Sequence, residues 1–212
     1  SVNITFIRHG TTKFNEEDRV QGSSDIQLSQ KGIDDINTVN LENMNYDIYI
    51  HSPLSRSKDT LLGILNKYDI NIQQSKIKED ILITERKYGI FEGLTKKEIK
   101  EKYSDLYNEW IVNENLIATG IESIEHVIDR IKLFISKIIS YDHKNILVVT
   151  HSGFLYALYK YINDKPLNLK PNEMEIKFPN CCIVDLYIKI LFKNMELILT
   201  VDGQEFKKII YF

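Results

Sequence analysis

Short β-rich runs alternate with longer helical stretches along this chain, and that alternation limits its fold more than any other feature. The strand candidates are Val2–Ile7, Asp47–Ile50, Ile77–Ile83, Ile146–Thr150, Cys182–Ile190 and Leu197–Val201, each enriched in Ile, Val or Tyr. Between them, Ser52 followed by Pro53 reads as an N-cap opening a helix through Leu61, Leu65 and Tyr68. Thr95 and Glu98 have the spacing of a capping box, after which Ile99, Tyr103, Leu106 and Trp110 share a helical face. Ser123 caps a second stripe formed by Ile124, Val127, Ile128, Ile131, Ile135 and Ile138. Such alternation predicts an α/β fold, a three-layer α/β/α sandwich with a largely parallel central sheet, spanning residues 1–212 as one domain. The last two strand candidates, joined through Lys193-Asn194, suggest an antiparallel hairpin at one edge. Residues 86–121 are helical but interrupt the alternation, which marks them as a small lid insertion.

Composition narrows the class. With 43% hydrophobic and 27% charged residues the chain can build a core and is not a disordered sequence. Lys and Arg number 27 against 30 Asp and Glu, a net charge of −3 that argues against a general nucleic-acid or anionic-membrane binder. No apolar run approaches the ~20 residues of a spanning helix, and the chain enters directly into Val2-Asn3-Ile4-Thr5-Phe6-Ile7 without a charged-then-apolar leader. A cytoplasmic location follows as an expectation, with no nucleic-acid or membrane partner; oligomeric state is not legible. Cys181 and Cys182 are adjacent, too few for a zinc site and poorly placed for a disulfide, so they read as reduced thiols in a strand.

Ligands of open α/β sheets bind at the carboxyl ends of strands. Those ends carry Arg8-His9-Gly10, His51-Ser52-Pro53-Leu54-Ser55-Arg56, Thr84-Glu85-Arg86 and Thr150-His151-Ser152-Gly153. Each alone reads as an ordinary turn or surface group. Together they bring two arginines, two histidines and a carboxylate to one edge, a combination that points to a site.

These residues, with Thr11 to Asn15, Gln21-Gly22-Ser23-Ser24, Ser52-Pro53-Leu54-Ser55-Arg56-Ser57, Glu85-Arg86-Lys87-Tyr88-Gly89 and Glu122 with Arg130, resemble the ordered motifs of the histidine phosphatase superfamily across nearly the whole chain. The resemblance implies a phosphoryl-transfer enzyme acting on a small phosphorylated molecule. His9 would be the nucleophile and Glu85 the general acid and base. Arg8, Arg56, a protonated His151 and the Asn15 amide would hold the phosphoryl oxygens. Gln21, Gly22, Arg86, Tyr88 and Ser152 are the implied substrate-binding residues. Two histidines and a glutamate could also bind zinc. Two arginines at the same edge oppose a cation, so neither metal nor cofactor is expected.

The family holds hydrolases and mutases. Mutases carry an arginine pair just after a tryptophan of the insertion, whereas Trp110 here precedes Ile111-Val112-Asn113. Gln21 before Gly22 is also more phosphatase-like, so hydrolysis through a phosphohistidine is the expectation. A primer-dependent mutase and a non-catalytic phosphate-binding regulator are the alternatives, the first favoured by Arg86, Tyr88 and Lys96 at mutase-like positions. Thr11, where Glu or Gln is usual, and Ser152, where a small residue is usual, depart from the pattern.

Overall fold

A computed structural model describes residues 1–71, 73, 76–112 and 119–212. Its centre is a seven-stranded sheet in the order β3-β2-β4-β1-β5-β6-β7. The strands are β1 (Val2–Arg8), β2 (Ile48–His51), β3 (Ile77–Glu79), β4 (Asn145–Thr150), β5 (Ile183–Ile190), β6 (Asn194–Val201) and β7 (Gln204–Tyr211). β3, β2, β4 and β1 form a parallel core, and β5, β6 and β7 extend it as an antiparallel meander. The helices are α1 (Lys13–Glu16), α2 (Gln30–Asp35), α3 (Ser55–Lys67), α4 (Lys96–Lys102), α5 (Ser104–Val112), α6 (Ile124–Ile139) and α7 (Ser152–Ile162).

Strand periodicity makes the three layers. Ile4, Phe6, Ile146 and Val148 point to one face and pack with the stripe of α6 and with Phe154, Leu155 and Leu158 of α7. Ile7, Leu147 and Val149 point to the other and meet Leu61, Ile64 and Leu65 of α3. Burying each of these side chains stabilises the fold by roughly 1.5–3 kcal/mol. Because both faces are covered, the inner parallel strands read as continuous apolar runs.

Several local expectations are corrected. α3 starts at Ser55, not after Ser52, and has no side-chain cap of its own. The Ser52 hydroxyl is engaged by His151, and Asp25 from a distant segment accepts from the Ser55 N–H at 2.8 Å. The candidate strand Ile77–Ile83 stops at Glu79, where the Asp80 carboxylate accepts from Leu82 N–H and turns the chain into a single 3-10 turn over Ile81–Ile83. The single helical face expected from Ile99 to Trp110 is split at Tyr103 into α4 and α5. The cysteines precede β5 rather than lying in it, and Cys181 has φ +60°. β7 is an additional strand. Its signal is Asp202-Gly203, both at positive φ, the pair that closes a tight hairpin between β6 and β7.

The described part of residues 86–121 has its own apolar cluster, in which Phe91, Ile99, Tyr107 and Ile121 are buried beside Tyr103, Leu106 and Trp110. Residues 113–118 of that insertion, including Asn113, lie outside the described residues. Among the described residues no helix is long and apolar enough to cross a membrane.

Candidate active site

Parallel register sets the site. Arg8 lies beside Thr150, and His51 beside Val149, so β1, β2 and β4 end together and release His9, Ser52 and His151 at one edge. The neighbouring elements supply Arg56 from the first turn of α3 and Glu85 from the loop after Ile83.

The His9 ring is 1% exposed, and its Nδ1 stands 2.7 Å from the Gly10 carbonyl oxygen. A carbonyl can only accept, so Nδ1 carries the proton and Nε2 keeps the lone pair. The Thr11 N–H, in the same peptide plane as that carbonyl, donates to Asp35 Oδ2 at 3.1 Å and fixes that plane. Burial, then Arg8 and Arg56, push the His9 imidazole well below its usual titration range, so the ring is neutral. His151 lies 5.1 Å away, ring to ring, with Nε2 2.7 Å from Ser52 Oγ and Nδ1 buried without a partner. Burial, Arg56 and His9 likewise hold His151 far below the usual range. Burial and the neighbouring cations thus work against the protonated His151 that the resemblance implies.

Arg8 and Arg56 are an unusual pair. Arg8 Nη1 donates to the Phe178 carbonyl at 2.6 Å, and Arg56 donates to the Ser24 and Gly22 carbonyls at 2.5 and 2.8 Å. The Nε atoms of both are buried without acceptors. Neither forms an ion pair among the described residues, although a buried charge left uncompensated costs several kcal/mol. Burial lowers the Arg8 guanidinium and brings Arg56 down to about 10, with Glu85 opposing both. Two cations, two orphaned donors and an orphaned imidazole nitrogen in one buried spot describe a receptor for an anion.

Two amides complete it. Asn15 Oδ1 accepts from the Thr12 backbone N–H at 3.0 Å, and Gln21 Oε1 accepts from Thr12 Oγ1 at 2.6 Å. Asn15 is thus anchored through its oxygen with its NH2 left over as the donor, and Gln21 is tied to the Thr12 hydroxyl. Glu85 is held from two sides: Oε1 accepts from Arg86 N–H at 2.8 Å and Oε2 from Gly153 N–H at 3.1 Å. A Cβ built on Gly153 would stand 2.2 Å from Glu85 Oε1, so that carboxyl can occupy its place only over a glycine.

A cavity of about 510 Å³ opens above these groups. Of the residues singled out in the sequence, Arg8, Asn15, Gln21, Gly22, Glu85, Arg86, Tyr88 and Ser152 line it. His9, Arg56 and His151 sit one layer behind, next in chain to lining Arg8 and Ser152 or bonded to lining Gly22. Arg86 is tied down, with Nε 2.7 Å from the Glu122 carbonyl and its guanidinium 5.4 Å from the Tyr88 ring. Arg130 grips the Glu122 carboxylate through Nε and Nη2 at 2.9 and 3.0 Å, which buttresses that link. The departure at Thr11 has a local partner, because its hydroxyl and N–H both donate to Asp35. Sequence reasoning missed Asn180, whose Nδ2 donates to the His9 carbonyl and to Asn15 Oδ1 at 3.0 and 3.3 Å. It placed Gly153 in a motif but gave it no role, although a glycine at a strand-to-helix crossing signals close approach, and it missed the contact of Ser52 with His151.

A sheet edge that gathers two imidazoles, a carboxylate and two arginines is chemically suited to a phosphoryl group. Residues 4–190 match the model of the histidine phosphatase superfamily (branch 1), and the chain belongs to that family. It is 32% identical over 159 residues to a probable 2-carboxy-D-arabinitol-1-phosphatase of Arabidopsis thaliana, a match covering 73% of this chain but only 32% of the plant protein. It is 28% identical over 211 residues to a 2,3-bisphosphoglycerate-dependent phosphoglycerate mutase of Hamiltonella defensa, covering 83% of this chain and 82% of that one. In fold it is similar to a putative alpha-ribazole-5'-P phosphatase from Escherichia coli, with a TM-score of 0.77 at 20% identity, over 98% of each chain.

Proposed function

We propose that this chain is a metal-independent phosphomonoester hydrolase that works through a phosphohistidine on His9, with a small phosphorylated metabolite as substrate. The observation that carries the reading is the pair of half-buried Arg8 and fully buried Arg56, whose Nε atoms have no acceptor, beside a His9 whose Nδ1 is committed to the Gly10 carbonyl. The arginines supply the positive charge that a metal supplies elsewhere.

In the first step the His9 Nε2 lone pair forms a bond to phosphorus as the P–O bond to the alcohol breaks. Glu85 gives its proton to the departing oxygen. In the second, Glu85 takes a proton from water, the water oxygen bonds to phosphorus, and the P–N bond breaks to return neutral His9. Charge spread over the equatorial oxygens is met by the two guanidiniums and the Asn15 amide. His151 adds a third cation by taking a proton on Nδ1 as the phosphoryl group arrives, because that negative charge offsets the arginines that disfavour the protonated ring.

The test is phosphate release from p-nitrophenyl phosphate and a panel of sugar phosphates, in excess EDTA and without bisphosphoglycerate, for the parent and His9→Ala. Release that resists EDTA and disappears in His9→Ala, with an acid-labile, base-stable label on His9 in the parent, is the expected result. Loss of release on EDTA treatment would overturn metal independence.

A mutase is the second reading, favoured by Arg86, Tyr88 and Lys96, which line the cavity where a second acidic group of a substrate would lie. Turnover of phosphoglycerate only when bisphosphoglycerate is added would establish it over the hydrolase.

A further inference from the structure

We propose that Asn180 is a positioning residue for the phosphate site, acting through Asn15. This rests on the phosphate-site reading above, because the inferred role is to aim a donor at the phosphoryl oxygens.

The amide orientations are fixed by their partners and not by choice. Asn180 lies 3.0 Å from the His9 carbonyl, which can only accept, so the atom there is Nδ2. Asn15 lies 3.0 Å from the Thr12 N–H, which can only donate, so the atom there is Oδ1. The second N–H of Asn180 then reaches that same Oδ1 at 3.3 Å. With two N–H donors on its oxygen, Asn15 cannot rotate its amide without facing donor against donor twice. Its NH2 is therefore held on the opposite side, and Asn15 lines the cavity. An unbraced asparagine would present either end; with its oxygen forward it would repel a phosphoryl oxygen.

The same short segment grips the nucleophile's strand end. The Phe178 carbonyl accepts from Arg8 Nη1 at 2.6 Å, and Cys181 N–H donates to the Arg8 carbonyl at 2.9 Å. Cys181 adopts φ +60°, a left-handed turn that a non-glycine residue enters only under constraint. That turn brings Asn180 against His9 across 171 residues of sequence. A strained turn with contacts to Arg8, His9 and Asn15 is what a brace for the site requires.

The experiment is a double-mutant cycle of Asn180→Ala and Asn15→Ala, read as KM and kcat for p-nitrophenyl phosphate and as inorganic phosphate affinity by calorimetry. Asn180→Ala is expected to raise KM and the phosphate Kd about five- to tenfold, with a smaller fall in kcat. In the Asn15→Ala background the same change should add less than twofold. Fold-changes that multiply in the double variant would overturn the proposal, as would an unchanged phosphate Kd in Asn180→Ala. Asn180→Leu keeps the volume while removing both donors, and it must reproduce the Kd shift; a native-like circular dichroism spectrum checks the fold of each variant. A parent chain that binds phosphate without turnover refutes the hydrolase reading alone, and the cycle in Kd still decides the role of Asn180.

Discussion

Replacing Gly153 with alanine tests the place of Glu85 without removing its charge or either of its backbone donors. The added Cβ would lie 2.2 Å from Glu85 Oε1 and 3.0 Å from its carboxyl carbon. Ordinary contact needs about 3.4 Å, so the carboxyl must retreat by roughly 1.2 Å. A displacement of about 1 Å in a reacting group costs on the order of 10²-fold in rate. Gly153 lies in the first turn of α7, and its backbone N–H is retained by alanine, so the helix itself is unharmed and gains up to about 1 kcal/mol from the better helix former. The assay compares an alkyl with an aryl phosphate. Gly153→Ala should lose about 10²-fold in kcat on the alkyl ester, whose leaving group needs a proton, and far less on p-nitrophenyl phosphate. Phosphate affinity and melting temperature should stay near those of the parent. Equal loss on both esters, or no loss on either, would refute the assignment of Glu85 as the acid and the steric argument with it.

Further outcomes follow from the same geometry. Glu85→Gln should show the same ester selectivity as Gly153→Ala with a larger alkyl loss, about 10²- to 10⁴-fold, measured in the same assay. Arg56→Met should raise the titration midpoints of both His9 and His151, since Arg56 lowers each; unmoved imidazole resonances in pH-titration NMR would contradict the electrostatic account. His9 and His151 are neutral in the native state far below the usual range, whereas unfolded histidines take up a proton near pH 6.5. Below that pH the unfolded state binds the extra protons, so stability falls with acid at up to about 2.7 kcal/mol per pH unit for the two together. Urea unfolding between pH 7.5 and 5 reads that slope, and saturating phosphate should flatten it; a flat profile without phosphate would show that these rings are not held neutral.

The parallel core was legible because β2 and β4 are buried on both faces, and β4 is written as an unbroken apolar run from Ile146 to Val149. The caps Thr95 and Ser123 were legible because their partners lie three residues away in the same helix. Ser52 was misread for the complementary reason: its hydroxyl answers to His151, 99 residues distant, and Asp25 caps the helix instead. β7 was missed because only Phe206 to Tyr211 carries apolar residues, interrupted by Lys207 and Lys208, and its strand character comes from pairing with β6.

By itself the sequence determined the layer order, the family and the polar residues that meet at one sheet edge, since local periodicity and ordered motifs are properties of the chain read in one direction. Tertiary structure alone decided the protonation of His9 and His151, the orientation of the Asn15 amide and the room made by Gly153. Burial, the field of two arginines and the approach of Asn180 depend on distances between residues far apart in the chain, and no local pattern encodes those distances.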